Sequence, residues 1–228
     1  TQYSYNYEYY RFTADDRSQS IAFKPENGNK IGFYAGWRWI FLGWSIDLTK
    51  NDAKKDLNLS FYTSKLGIDL FYRRRDKGFK ISNIKGFDDN GVPVRDYSND
   101  FSGFSTKQKG FNIYYIFNNK RFSYPAAYSQ TTNQRISAGS FLLGISYNAQ
   151  TFSFNYAKLD EKLQAEILPA LKFDVVKYKD YSINFGYSYN WVFAKNCLAN
   201  ISFTPGLGYK NSSLQLKSGK ELLSSLNF

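Results

Sequence analysis

Three sets of residues in this chain are of the kinds that do chemistry. The first is Asp47, Asp69 and Arg73. Two carboxylates held close together can divide acid–base work, because each charge raises the other's pKa. Strand patterning puts Asp47 and Asp69 on strands that are not neighbours, so that pairing is not expected. Asp69 and Arg73 are four residues apart and share one face of one strand. Buried charges are ordinarily paired. A structural ion-pair network is therefore expected, with a selectivity filter as the alternative. Tyr34 and Tyr62 fall on the same polar side.

The second set is basic. Arg73, Arg74, Arg75 and Lys77, with Asp76 among them, open a stretch that carries nine Lys/Arg and five Asp/Glu between residues 73 and 110. A nucleic-acid surface would need exposed stacking aromatics beside such cations. Here the aromatics are committed to strands, so no nucleic-acid partner is expected. Phosphate groups of lipopolysaccharide are the partner that suits them, since Arg and Lys engage phosphate through charge-assisted hydrogen bonds. Arg74, Arg75 and Lys77 are assigned that contact, and so are Lys177 and Lys179. A merely solvated loop is the bland alternative.

The third set is defined by what is missing. The chain has no His and a single Cys, Cys197. Ser-His, Cys-His and His-metal sites are thereby excluded, and so is an internal disulfide. Asp88-Asp89-Asn90-Gly91 lacks the residue spacing of a calcium loop and reads as a turn. No catalytic residue, metal or cofactor is expected.

The elements that position these residues announce themselves by period-2 alternation. Ile31, Phe33, Ala35 and Trp37 alternate with Gly32, Tyr34 and Gly36; then Ile40, Leu42, Trp44, Ile46 and Leu48 take up the opposite parity. A two-residue loop at Arg38–Trp39 produces this switch and pairs Trp37 with Ile40. Equivalent switches predict turns at 64–65, 118–121 and 148–151. The turn at 118–121 parts Phe111–Phe117 from Phe122, Tyr124 and Tyr128; that at 148–151 parts Phe141–Tyr147 from Phe152–Tyr156. The longest run, from Tyr181 to Phe193, places Ile183, Phe185, Tyr187 and Tyr189 on one face and Asn184, Ser188 and Asn190 on the other.

The second face decides the architecture expected. It is made of Gly, Ser, Asn and Thr, whereas the apolar face is bulky and aromatic. The chain holds 20 Tyr, 21 Phe and 4 Trp. A soluble sandwich or lipocalin would carry Lys and Glu on its outer face. The inversion fits an up-and-down antiparallel β-barrel with lipid outside and a polar lumen lined by Tyr34, Asp47, Tyr62, Asp69, Arg73, Asn184, Ser188 and Asn190. Short and long connections alternate, which predicts about 12 strands (10 to 14) in a single domain spanning residues 1–228. The long extracellular loops fall at 75–102 and 158–172. Leu159, Leu163 and Ile167, followed by Pro169, predict a short helix in the latter. Trp37, Trp39 and Trp191 lie near turns of the periplasmic side and are assigned to an aromatic girdle, with Trp44 nearer mid-membrane. The net charge is +11, and an excess of Lys/Arg is expected near the outer mouth.

The stretches Gly32–Trp44, Tyr62–Arg73, Asp180–Tyr187 and Asn190–Ala194 resemble a domain-of-unknown-function family of Bacteroidota cell-envelope proteins. The resemblance implies a signal peptide on the precursor, an outer-membrane location and a chain that continues beyond the position of Phe228. It carries no catalytic residue. The expected function is that of a non-enzymatic barrel of the bacterial outer membrane, either a narrow pore or a structural or accessory subunit of an envelope complex. Its expected partners are outer-membrane lipid, lipopolysaccharide and other envelope proteins. The alternatives are a barrel enzyme modifying lipid or peptide at the outer leaflet, and a surface binder using the 75–102 loop. An enzyme of that kind would ordinarily set a His beside Ser or Asp.

Overall fold

A computed structural model describes residues 8–14, 18–25, 30–37, 40–47, 54–87, 95–128, 132–216 and 221–227. Among these the chain is almost entirely antiparallel strand, divided between two sheets. The smaller sheet has the order β1-β2-β7-β8, formed by Tyr10–Thr13, Ser20–Pro25, Phe79–Lys85 and Arg95–Phe101. The larger sheet begins with β3 (Lys30–Trp37), β4 (Ile40–Asp47), β5 (Lys54–Tyr62) and β6 (Leu66–Arg75). It continues through β9 (Phe104–Ile116), β10 (Ala138–Phe154) and β11 (Phe173–Ala194) to β12 (Cys197–Phe203), β13 (Gly206–Leu216) and β14 (Glu221–Asn227). Each of these strands pairs with the next one of the larger sheet in the chain, apart from β12. β12 and β13 both pair with β11, parted at Pro205, which has no N–H to give to the ladder.

Several expected connections hold. Trp37 pairs with Ile40, and Ser64–Lys65 turn the chain between β5 and β6. Others are corrected. No turn exists at 148–151, because β10 runs unbroken from Ala138 to Phe154. The expected strand after 118–121 is instead a short helix, α1 (Tyr124–Tyr128), inside a long connection from β9 to β10. The 75–102 span contains a β-hairpin, β7–β8, added to the smaller sheet. β1 and β2, near the start of the chain, likewise belong to that sheet and not to the larger one. The expected closed barrel of about 12 strands is also corrected. The larger sheet curls into a half-barrel whose edges, among the described residues, are β3 and β14.

The parity switch in β10 has a physical cause other than a turn. Phe141, Leu143 and Ile145 are exposed on one face, whereas Phe152 and Phe154 are buried on the opposite one. The strand passes from a region whose outer face is apolar to one whose inner face is covered by the smaller sheet. Phe23 and Phe79 of that sheet meet Phe104, Phe152, Phe154 and Phe173 of the larger one in a single core, together with Leu159, Leu163, Ile167 and Leu171. These leucines and Ile167 lie around α2 (Glu161–Glu166), a shorter helix than expected. Gln19, 3% exposed, ties this cap together: its amide donates to the carbonyls of Gly86 (3.2 Å) and Glu166 (3.0 Å) and accepts from the Leu168 N–H (2.8 Å).

The face under the cap is the concave one. The α1 segment touches five strands of it at once. The Tyr124 ring packs on Tyr62 of β5 and over Gly67 of β6, where a Cβ would lie 3.1 Å from the ring, and it stacks near Tyr114 of β9. The Ser123 carbonyl accepts from Asn190 of β11, and Tyr128 donates to Ser202 of β12. Strands about 4.8 Å apart would put these partners out of reach on a flat sheet.

Candidate membrane-facing surface

Side chains alternate across the larger sheet, so each strand offers one set to the concave side and one to the convex side. The convex set is apolar toward the short turns on β5, β6, β9, β10, β11 and β12. On β11 it runs Phe193, Trp191, Tyr189, Tyr187, Phe185, Ile183 and Tyr181, every one exposed. Beside it stand Phe141, Leu143 and Ile145 of β10, with Ile201, Phe203 and Leu207 of β12 and β13 also exposed. Leu207 is 87% exposed and Ile183 62%. The register makes this one contiguous surface: Phe61, Ile68, Ile113, Ile145, Ile183 and Leu207 are successive cross-strand partners. Soluble monomers rarely expose an apolar surface larger than a few hundred Å².

The convex apolar run ends in a cation on four strands. On β5 it reads Phe61, Leu59, Leu57, then Lys55; on β6 Leu66, Ile68, Leu70, Tyr72, then Arg74. On β9 it reads Tyr115, Ile113, Phe111, then Lys109 and Lys107, and on β11 Tyr181 gives way to Lys179 and Lys177. Of the residues assigned to phosphate, Arg74, Lys177 and Lys179 are thus on the convex side. Arg75 is not: it points to the concave side and is 8% exposed, with Nη1 3.9 Å from Glu8 and the guanidinium over the Phe79 ring. Lys77 lies in the turn before β7. Lys55 joins Arg74, Lys177 and Lys179 as the partner of Arg74 across β5–β6, and so do Lys107 and Lys109, because β9 lies beside β6, a pairing the sequence does not reveal.

The opposite, short-turn ends carry tryptophan. Trp37 and Trp191 are exposed at the ends of β3 and β11. Trp39 lies outside the described residues, as does the side chain of Trp44, whose backbone pairs with Leu57. Trp37 sits on the same cross-strand row as Ile183, whereas the β11–β12 tip, at Ala194 and Cys197, is eleven positions further along. Bringing these two tips level requires the strands to tilt by about 50°, at roughly 3.3 Å per residue and 4.8 Å per strand. Depth-dependent quenching of Trp fluorescence by labelled lipids checks this geometry. Variants keeping only Trp37 or only Trp191 are expected to be quenched by shallow labels. One keeping only Trp44, four residues above the β3–β4 tip, should be quenched by deep labels. The same depth for all three would refute the tilt.

The concave side is polar along the middle of the strands. Arg73 pairs with Asp56 (3.4 Å), and Asp69 accepts from Ser60 (2.7 Å) and Tyr62 (2.5 Å). Asp69 and Arg73 therefore share a face, as expected, but each takes a different partner. Gln108 donates to Asn148 (3.0 Å), Asn148 to Asp180 (3.4 Å), and Lys210 pairs with Asp180 (3.7 Å). Asn184 donates to Ser146. Nearer the short turns, Ser188 and Asn190 are 0% exposed. Asn190 donates to Gln134 (2.8 Å) and to the Ser123 carbonyl (3.0 Å), and Asn200 donates to Asn190 (2.7 Å) and Ser188 (2.9 Å). Tyr34 and Asp47 lie on β3 and β4, paired with Gly43 and Lys30; their side chains are outside the described residues. Beside Arg73 and Arg75 a cavity of ≈ 40 Å³ reaches Tyr10, whose phenol donates to Glu8 and is pushed up by burial, with the Glu8 charge adding to the shift. Cys197 is exposed and unpaired.

A family model described as Domain of unknown function (DUF4421) matches residues 1–225. The chain belongs to this family. Neither a curated protein nor a solved structure matches it. In this DUF4421 chain the residues with the strongest chemical character thus divide between two surfaces. One is an internally hydrogen-bonded concave side covered by the cap and by α1, and the other is a convex side that is bare, aromatic and edged with cations.

Proposed function

We propose that the protein is a non-enzymatic component of the bacterial outer membrane, its convex face in lipid, acting as a structural or accessory subunit and not as an open pore. The observation that carries this is the contiguous exposed apolar convex face. Burying it in lipid removes a surface that water would drive to aggregate. The stagger of the short turns, which a tilt of about 50° would bring level, is near what membrane-spanning strands use. So does the placement of Trp at one end and cations at the other.

The occluded reading rests on the concave side. Ile116, Phe122, Tyr124 and Leu142 pack there in a core of their own at the short-turn end. The cap covers the other end, where its Phe23 and Phe79 pack on Phe104 of β9. Between these two plugs the polar side chains bond to one another. A surface-binding role for 75–102 is less well supported, because Phe79, Ile81, Ile84 and Phe101 from that span are buried in the cap core.

Two measurements test the proposal. After reconstitution into phospholipid vesicles, the protein is expected to float with lipid and to resist extraction by alkaline carbonate. In planar bilayers it should show no conductance steps at any voltage. Steps with a weak anion preference that fades as salt rises would overturn the occluded reading in favour of a narrow pore. Release by carbonate would overturn the membrane reading itself.

A further inference from the structure

We propose that Lys55, Arg74, Lys107 and Lys109 form a binding site for the phosphate groups of an anionic membrane lipid, in the leaflet nearer the cap. The proposal rests on the reading that the convex face lies in lipid.

Lys55 is the direct cross-strand partner of Arg74, and Arg74 of Lys107; Lys109 is opposite Tyr72, one convex step lower. With strands about 4.8 Å apart, three cations stand abreast within about 10 Å. Like charges directly opposite one another destabilise a sheet. A sequence that breaks a local rule without an internal gain marks a functional site. The compensation within the protein is small. Arg74 bonds Asp76 through Nε (2.8 Å), both side chains being about half exposed. Among the described residues no carboxylate pairs with Lys55, Lys107 or Lys109, and all four cations are exposed.

The neighbouring surface says what kind of anion would relieve this charge. Immediately toward the short turns, on the same convex side, lie Leu57, Tyr72, Leu70 and Phe111. Tyr72 stands among the cations, with Lys107 Nζ 5.8 Å from its ring centre. The occupant must therefore present negative charge at one end and hydrocarbon at the other, side by side along the strand direction. A free phosphate has no use for the apolar strip, and a nucleic acid has none for its aliphatic part. A phosphorylated lipid matches both. Arg supplies a fixed fork to phosphate oxygens and Lys supplies mobile point charges. The height is also right. Arg74 stands eight residues above Leu66, and Lys107 and Lys109 stand ten and eight above Phe117. A strand tilted by about 45° needs roughly nine to eleven residues to cross the hydrocarbon layer. These cations thus reach the headgroup boundary when the short turns lie at the opposite one. Lys177 and Lys179 stand higher, beyond Thr151 and Ala149 of β10, and are not required.

The test uses the full chain in phosphatidylcholine vesicles doped with bis-phosphorylated lipid A, compared with vesicles doped with chemically dephosphorylated lipid A. Retained lipid A is counted by phosphorus analysis after detergent extraction and affinity capture. The wild-type chain is expected to retain the phosphorylated form, and less of it as salt rises. The combined variant Lys55→Gln, Arg74→Gln, Lys107→Gln, Lys109→Gln should lose affinity by roughly 600-fold, at about fivefold for each of the four charges near the membrane surface. It should still float with undoped vesicles, which shows that it folds and inserts. A control, Lys158→Gln, Lys162→Gln, Lys172→Gln in the cap loops, should bind as the wild type does. Equal retention by wild type and combined variant would overturn the site, and so would equal retention of dephosphorylated lipid A. Displacement by inorganic phosphate at matched phosphate concentration would show a site for the free anion and overturn the lipid assignment. Failure of the wild-type chain to float with undoped vesicles would overturn the membrane reading, a result distinct from loss of phosphate selectivity.

Discussion

Phe104→Ala is expected to destabilise the protein by about 3–5 kcal/mol, the usual range for emptying a buried aromatic site. Phe104 is 0% exposed and stands where the two sheets meet. Its ring stacks on Phe23 of the smaller sheet (4.2 Å between centroids, 7° between planes) and meets Phe79 edge-on at 4.8 Å. Tyr10 and Phe12 approach it from β1, and Phe152 from β10. No neighbour is free to collapse into the space, because each ring is held by the others. Phe104 belongs to the larger sheet, so its loss should also loosen the cap before the rest unfolds. Denaturant unfolding in detergent micelles would measure the first effect. Limited proteolysis within residues 86–95 would report the second. A cost below about 1 kcal/mol, with no gain in cleavage, would mean that the cap does not pack on the half-barrel as described.

Ile183→Lys is expected to cost about 2–4 kcal/mol when the protein is folded in phospholipid vesicles, the penalty for a cationic side chain at the middle of a lipid-facing strand. Ile183 is 62% exposed and is flanked on its row by Ile145 and Leu207. In water such a site would tolerate Lys within about 0.5 kcal/mol, since no buried contact is lost. The same substitution therefore separates the two environments. Equal stability of variant and wild type in vesicles would show that this face meets water. The membrane reading would then fail, whatever the behaviour of the cap.

Much of the larger sheet is legible in the sequence because period-2 alternation survives folding unchanged. Trp37 and Ile40 could be paired from their parity alone, and the division of Ile183, Phe185 and Tyr187 from Asn184, Ser188 and Asn190 is the one the structure has. The polar partners of Asp69 were within reach too. Ser60 and Tyr62 precede the short turn that brings β5 alongside β6, and they land opposite or beside it. These are contacts between sequence neighbours across tight turns, where register follows from the loop.

Other features were decided only by tertiary structure. Alternation shows which parity is apolar, not whether that parity faces lipid or a core. When Phe141–Tyr147 gave way to Phe152 and Phe154, a turn and a change of surroundings left the same mark. The smaller sheet supplied the change, and its strands come from two separated parts of the chain, 10–25 and 79–101. Folding the second part away let β9 pair with β6, and this set Arg74 beside Lys107. Arg75, adjacent to Arg74 in sequence, was sent to the opposite face and buried. The sequence by itself determined an antiparallel sheet with one aromatic and one small polar face, because those properties depend on neighbours two residues apart. Closure, the cap and the company each cation keeps depend on contacts between distant segments, which a local period cannot encode.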